Sequence, residues 1–341
     1  MTVVHKILEE TLVACLRIHG KFSHILDAID FVREVSGNRV IGDPIVIHHW
    51  LVQDQEGHDM DICIPVSEDF EEGDVTTTVL EKCEAMTTLH RGPYGTINDS
   101  YRAVVSETYS HGLPIAESGR EAFLNYSPDA PEDTIIEIQE VLHDWDNRFS
   151  KQLTSILGTK ARDRILQCYN DISYKSSREE RAQAVKCAID KLDEIATDDE
   201  KFEILSHCAH IFPLELIEDM RLVYEETNSV DRVLEAMQKA GNYPKFTKKE
   251  NILYSSKTPY NRDAFEKANT REEKMRAYCF CPMIKYNLDE MSDSFCYCGS
   301  GWVRRLWEGI IKKPVRVEIV KSLPNGDDEC TFAVHLPSSG L

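Results

Sequence analysis

Two groups of side chains in this 341-residue sequence are typed and spaced for chemistry. Cys279-Phe280-Cys281-Pro282 and Cys296-Tyr297-Cys298-Gly299 set two pairs of thiols, each at i, i+2. In a strand or turn such a pair aims both sulfurs the same way. Two pairs then supply the tetrahedral thiolates that Zn²⁺ prefers, with Cys330 able to replace one of the four. The usual pair has two intervening residues rather than one, so reduced thiols in a tight core are the competing reading. The second group is a candidate carboxylate, Glu137, in a stretch that also holds the candidate aromatic walls Tyr94, Tyr101, Phe123 and Tyr126. A carboxylate among rings attracts a delocalised cation by charge, and each ring face adds about 0.5–2 kcal/mol. Partial burial of that carboxylate raises its pKa.

The elements that position the second group are duplicated. Thr88-Leu89-His90-Arg91-Gly92-Pro93-Tyr94-Gly95 has a weaker earlier copy, and a common shift puts Gly20 on Gly92, Phe22 on Tyr94, Ile25 on Ile97, Ile29 on Tyr101 and Val32 on Val104. Each copy reads as strand, glycine turn with an aromatic, amphipathic helix, then two strands. In the first copy these are residues 6–18, a helix opened by Ser23 and stopped by Ser36-Gly37, then 44–50 and 59–66. In the second they are 85–90, 96–109, 121–125 and 134–139. The halves, about 1–66 and 83–142, bury similar faces together, and the seam between them is where a pocket forms. The acidic stretch 67–82 reads as a solvated connector. Strand alternation sets Glu137 with Ile135 and Gln139, opposite Ile136 and Ile138, which leaves it either in the seam or on a wet face. Asp61 is its counterpart in the first copy. Tyr101 shares the helix stripe of Ile97 and Val104, so it is core or wall. His48 and His49 point to opposite faces and make a poor metal pair.

Composition bounds the function. The chain is 42% hydrophobic and 29% charged, enough for two ordinary domains. The net charge of -20 is concentrated in residues 1–143, which carry 9 Lys and Arg against 26 Asp and Glu. That half repels a phosphate backbone and attracts cations, so no nucleic acid is expected as a partner. With no apolar run long enough for a bilayer and no secretory signal at Met1-Thr2-Val3-Val4-His5-Lys6, a cytoplasmic protein is expected, without membrane association. A homodimer stays open. In such a compartment the eleven cysteines point away from disulfides, and Cys15, Cys63, Cys83, Cys168, Cys187 and Cys208 read as small buried hydrophobes.

Residues 1–143 resemble a known family. His90-Arg91-Gly92-Pro93-Tyr94, Tyr101, Phe123-Leu124-Asn125 and Glu137-Ile138-Gln139 occur in the order found in the gyrase-inhibitor-like (GyrI-like) effector-binding domain, the ligand module of several multidrug-sensing regulators. The resemblance implies an α+β fold: a duplicated βαββ unit, with one antiparallel sheet and two helices, enclosing a pocket for hydrophobic, often cationic compounds. It also implies that the acid of the last strand, Glu137, meets the ligand inside an aromatic box with Tyr94, Tyr101, Tyr126 and Phe123. No helix-turn-helix with a basic recognition helix is legible on either side, so a transcription regulator is not expected. Family members lacking a DNA-binding domain include hydrolases of electrophilic compounds. Their resemblance implies Glu137 as general base with Tyr94 or Tyr126 polarising the electrophile, and the choice between binding and turnover stays open.

Beyond residue 143 a linker helix is expected over 144–158, then a helical region followed by a small cysteine-bearing α+β end, 159–341 in all. Ser177-Arg178-Glu179-Glu180 is a capping box whose helix turns Ala184, Cys187, Ala188, Ile189 and Leu192 inward. Residues 243–261 read as an extended connection. After Gly299-Ser300-Gly301 comes a helix from Trp302, then two strands around Pro324-Asn325-Gly326-Asp327. This end resembles 4-vinyl-reductase-type and aminothiazoline-carboxylate-hydrolase-like domains, which implies small-molecule binding or hydrolysis. With its cysteines holding zinc, it reads instead as an interaction or sensor module.

Overall fold

The expected first strand is two. In the computed structural model, which describes residues 1–53, 57–125 and 130–337, the adjacent acids Glu9 and Glu10 break it into β1 (Val4–Leu8) and β2 (Thr11–Gly20). The break lets β1 leave its own half and pair with the second. The elements that follow are α1 (Ile25–Ser36), β3 (Ile45–Gln53), β4 (His58–Pro65), β5 (Glu71–Glu72), β6 (Val75–Leu80), β7 (Cys83–Arg91), α2 (Ile97–Ser110), β8 (Gly119–Asn125) and β9 (Ile135–Val141). They form one unit, Met1–Asp144.

Its antiparallel sheet has the order β1-β7-β9-β8-β3-β4-β2-β6-β5. The inner six strands read as one copy inward, β7-β9-β8, and the other outward, β3-β4-β2. The copies meet where β8 pairs with β3, from Ile45 opposite Ala122 to His48 opposite Gly119. Helices α1 and α2 cover one face. Ile25, Ile29 and Val32 of α1 and Ile97 and Val104 of α2 bury against Ala14, Val46, Met60, Ile62, Met86, Ile136 and Ile138, the residues that strand alternation turns to that side. Ser23 makes no side-chain cap; a turn of 3₁₀ helix, Phe22–His24, leads into α1 instead.

The stretch 67–82 is not merely a solvated connector. It folds back at Gly73, whose φ of +61° needs glycine, and β6 pairs with β2 from Thr11 opposite Leu80 to Cys15 opposite Thr76. Val75-Thr76-Thr77-Thr78-Val79-Leu80 is rich in β-branched residues, a strand signal that the neighbouring acids mask. The expectation of unpaired thiols is corrected at two places. Cys15 and Cys63, directly opposite on β2 and β4 with Cα atoms 4.3 Å apart, are joined, as are Cys168 and Cys187.

Residues Trp145–Leu341 form the second unit. Its helices are α3 (Trp145–Leu157), α4 (Thr159–Leu166), α5 (Arg178–Ile195), α6 (Asp198–Ser206), α7 (Leu214–Thr227), α8 (Val230–Ala240), α9 (Arg262–Lys267), α10 (Arg271–Tyr278) and α11 (Tyr297–Ile311). The Ser177 box caps α5, which buries Ala184, Ala188, Ile189 and Leu192. The expected extended connection holds β10 (Thr247–Lys249) and β11 (Ile252–Ser256). With β12 (Arg316–Lys321) and β13 (Thr331–His335) they make a four-stranded sheet ordered β10-β11-β13-β12. Trp307 of α11 is fully buried in the core that includes β11, β12 and β13 residues. The whole is an α+β protein, with eleven α-helices among the described residues, none of them long and apolar enough to cross a membrane.

Candidate functional site

Where the two copies meet, their turn aromatics meet as well. Phe22 and Tyr94, equivalent in the duplication, lie with ring centroids 5.6 Å apart, and the Tyr94 ring stacks on Phe123 at 6.2 Å. Beneath them is a carboxylate absent from the sequence-based expectation. Glu121 of β8 is 0% exposed; the Tyr94 hydroxyl donates to its Oε2 at 2.8 Å and the Tyr101 hydroxyl to its Oε1 at 2.7 Å. His48 of β3 places Nε2 3.3 Å from Glu121 Oε1, and its Nδ1 lies 2.9 Å from Nε2 of His58. The Phe22 ring is 5.8 Å from His48 and 5.3 Å from His58, and at 44% exposure it forms the outer wall. A carboxylate taken out of water requires such donors, so the tyrosine hydroxyls are what make its burial tolerable.

The ionisation of the group follows from its burial. Desolvation, then the Glu121 charge, pushes the Tyr101 hydroxyl well above the usual tyrosine range, so it stays a donor. Burial, then His48, lowers His58 to about 4 and leaves that imidazole neutral at pH 7. Glu140, on the same face of β9 as Ile136 and Ile138, is raised to about 7 by burial.

Glu137 is elsewhere. It faces away from the helices, bonded to Lys6 Nζ and accepting from Gln139 Nε2 at 2.9 Å. With Thr2, Val4, Lys6, Thr87, Leu89 and Arg91 it lines a depression of about 330 Å³. The reason is alternation: Ile136 and Ile138 take the helix face, so Glu137 takes the other, apart from Tyr94, Tyr101 and Phe123. Its counterpart Asp61 is also on that face, hydrogen-bonded by Arg17 and by His49 Nε2 at 2.8 Å. Burial alone would raise the Asp61 pKa, but the His49 and Arg17 hydrogen bonds hold it below the usual range. Tyr94, Tyr101 and Phe123 are brought together as expected from sequence, whereas Tyr126 lies outside the described residues. Glu121 was legible: it stands two residues before Phe123 in one strand and shares its face.

The five C-terminal cysteines, from three separate segments, share Lys257 as an electrostatic neighbour. Burial pushes the Cys279 and Cys281 thiols up to about 12 and Cys298 to about 11, and raises Cys296 and Cys330 as well. Among the described residues none of them belongs to a group of three or more ligand atoms mutually within 4.8 Å. The second pair departs from the sequence expectation. Cys296 caps α11 and Cys298 lies in its first turn, and helical residues at i, i+2 do not face each other.

Solved structures similar to this chain include an EcmrR–DNA complex (18% identity, 41% of this chain and 57% of that one, TM-score 0.38), so the chain spans little more than half of that protein. The EcmrR C-terminal domain matches at 20% identity over 41% of this chain and 96% of that one, with TM-score 0.37. SAV2435 bound to tetraphenylphosphonium matches at 12% identity over 43% and 97%, with TM-score 0.32. Among curated proteins none matches. Residues 164–339, just over half of the chain, match the family of unknown function DUF6144, and the chain belongs to that family.

Proposed function

We propose that the first unit binds a hydrophobic organic cation in the aromatic box floored by Glu121. The observation that carries this reading is a fully buried carboxylate holding two tyrosine hydroxyls, at 2.8 and 2.7 Å, under the rings of Phe22, Tyr94 and Phe123. His58, lowered to about 4, carries no charge at pH 7 and does not neutralise it. A large delocalised cation loses little hydration on entering and gains charge attraction with ring-face contacts. The acidic balance of residues 1–143 favours its approach.

Tetraphenylphosphonium is a suitable probe. Glu121→Gln keeps the shape and an acceptor for one of the two tyrosine hydroxyls but removes the charge, and should weaken binding at least about tenfold, the equivalent of 1.4 kcal/mol. Glu137→Gln, on the opposite face, should bind as the parent does. Isothermal titration of both variants decides the matter, and unchanged affinity in Glu121→Gln would sink the site.

One observation favours turnover as a second reading: His58 and His48 are hydrogen-bonded at 2.9 Å, and His48 Nε2 lies 3.3 Å from Glu121 Oε1, an imidazole pair beside a carboxylate of the kind that serves as general base. Here Glu121 activates water and Tyr94 polarises an electrophile. Accumulation of product beyond one equivalent separates this from binding.

A further inference from the structure

We propose that the second unit carries a binding site of its own, a cavity between α9, α10 and the loop from β12 to β13 that takes a free amino acid with an apolar side chain. The cavity measures about 360 Å³, at the small end of the range for small-molecule sites, which suits a ligand the size of one amino acid.

Its walls follow from spacing along α10. Arg271, Lys274, Met275 and Tyr278 recur at i, i+3, i+4 and i+7, which is one face of a helix. The first half of that face is charged and exposed, whereas Met275 and Tyr278 are each 4% exposed and belong to the core. The Tyr278 hydroxyl is already engaged, donating to the Lys257 carbonyl at 2.5 Å and accepting from the Cys330 amide at 3.1 Å. What Tyr278 gives the cavity is therefore its ring. Phe265 of α9 sets its own ring 5.9 Å away, and the Tyr260 and Asn261 amides tie the start of α9 to the Tyr278 and Ala277 carbonyls.

The opposite wall is a tight turn. The Asn325 and Asp327 amides donate to the Ser322 carbonyl, the Gly326 amide donates to the Leu323 carbonyl, and the Asp327 carboxylate accepts from the Ser322 amide at 2.9 Å. The turn buries Leu323 in the same core as Met275 and brings Asp328 to the rim.

The floor of Phe265, Met275, Tyr278 and Leu323 gains by covering an aliphatic or aromatic side chain. The rim sets the rest of the ligand. Arg271 is held by Asp289 at 2.9 Å. Among the described residues the side chains of Lys274 and Asp328 make no hydrogen bond or ion pair. One cation from α10 and one anion from the turn thus face a single small cavity. A carboxylate for Lys274 and an ammonium for Asp328 on one molecule satisfy both, whereas a fatty acid or a simple amine satisfies only one.

The test is isothermal titration of the full chain with L-leucine and with L-phenylalanine. Saturable one-to-one binding of at least one of them is expected. Its analogue lacking the ammonium and its analogue lacking the carboxylate should each bind at least about tenfold more weakly. Lys274→Met and Asp328→Asn, both changed at the exposed rim, should each weaken the amino acid to a similar degree. Lys274→Met should leave the affinity for the amine analogue unchanged. Glu121→Gln should bind the amino acid as the parent does, which keeps the box of the first unit out of the readout. No binding of either amino acid at millimolar concentration overturns the proposal. Equal affinity for the amino acid and either analogue overturns it too, as does full affinity in Lys274→Met or Asp328→Asn.

Discussion

Gly301→Ala is expected to lower the stability of the second unit by on the order of 3 kcal/mol, the upper part of the usual range for overpacking. A methyl group on Gly301 would lie 2.0 Å from the Ser206 carbonyl oxygen and 2.8 Å from the Ala209 Cβ. Neither is a flexible side-chain end, so α11 and α6 must move apart. The same crossing carries Arg304, which donates to Glu203 and to the Ser206 hydroxyl, each at 2.9 Å, and separation strains those bonds too. The measurement is chemical denaturation of the full chain with circular dichroism. The two units need not unfold together, so the transition of the helical unit is the one that should shift. Gly95→Ala, with nothing within 4 Å of the added group, is the control. A Gly301→Ala midpoint equal to the parent's would mean that the helices do not cross this closely.

That glycine also shows why part of the chain was hard to read. Gly299-Ser300-Gly301 looks like a linker before a helix, yet α11 starts at Tyr297 and runs through all three. Glycine stands inside the helix because another backbone passes against it, a tertiary requirement without a local signature. The duplicated half was more transparent. Apolar residues at helical spacing, Ile25, Ile29 and Val32 beside Ile97 and Val104, are there because two helices must bury against one sheet, and periodicity reports that directly. Within the site, alternation did its part: it separated Glu137 from Ile136 and Ile138, and it also pairs Glu121 with Phe123. What a single sequence does not say is which face of β9 looks toward the box, because both carry polar residues: Glu140 on one side, Glu137 and Gln139 on the other. The cysteines failed for a different reason. Equal i, i+2 spacing hides that one pair is on a turn and the other on a helix, where it diverges.

Glu140→Gln should remove a pH dependence from the first unit. Burial raises the Glu140 carboxyl from about 4.5 to about 7, so the folded chain holds this proton more tightly than the unfolded one does. The stabilising effect is complete below the unfolded value, and it is lost as pH rises toward and through the folded value. Stability therefore falls between about pH 4.5 and 7, by about 3 kcal/mol for a displacement of this size. His58 acts in the opposite sense. Its folded pKa is depressed to about 4, so folding is disfavoured as pH falls below its ordinary 6.5. The parent should accordingly be most stable in mildly acidic solution. In Glu140→Gln the alkaline loss disappears while the acid limb from His58 remains, and denaturation midpoints measured from pH 5 to 8 separate the two. Since Glu140 lies in the electrostatic reach of Tyr101, a cation held in the box favours its ionised form. Binding near pH 6 should then release protons, detectable as a buffer-dependent heat that the Gln variant lacks. Identical pH profiles for parent and variant would show that Glu140 is ionised in the folded state and that the helix-covered face is wetter than its packing indicates.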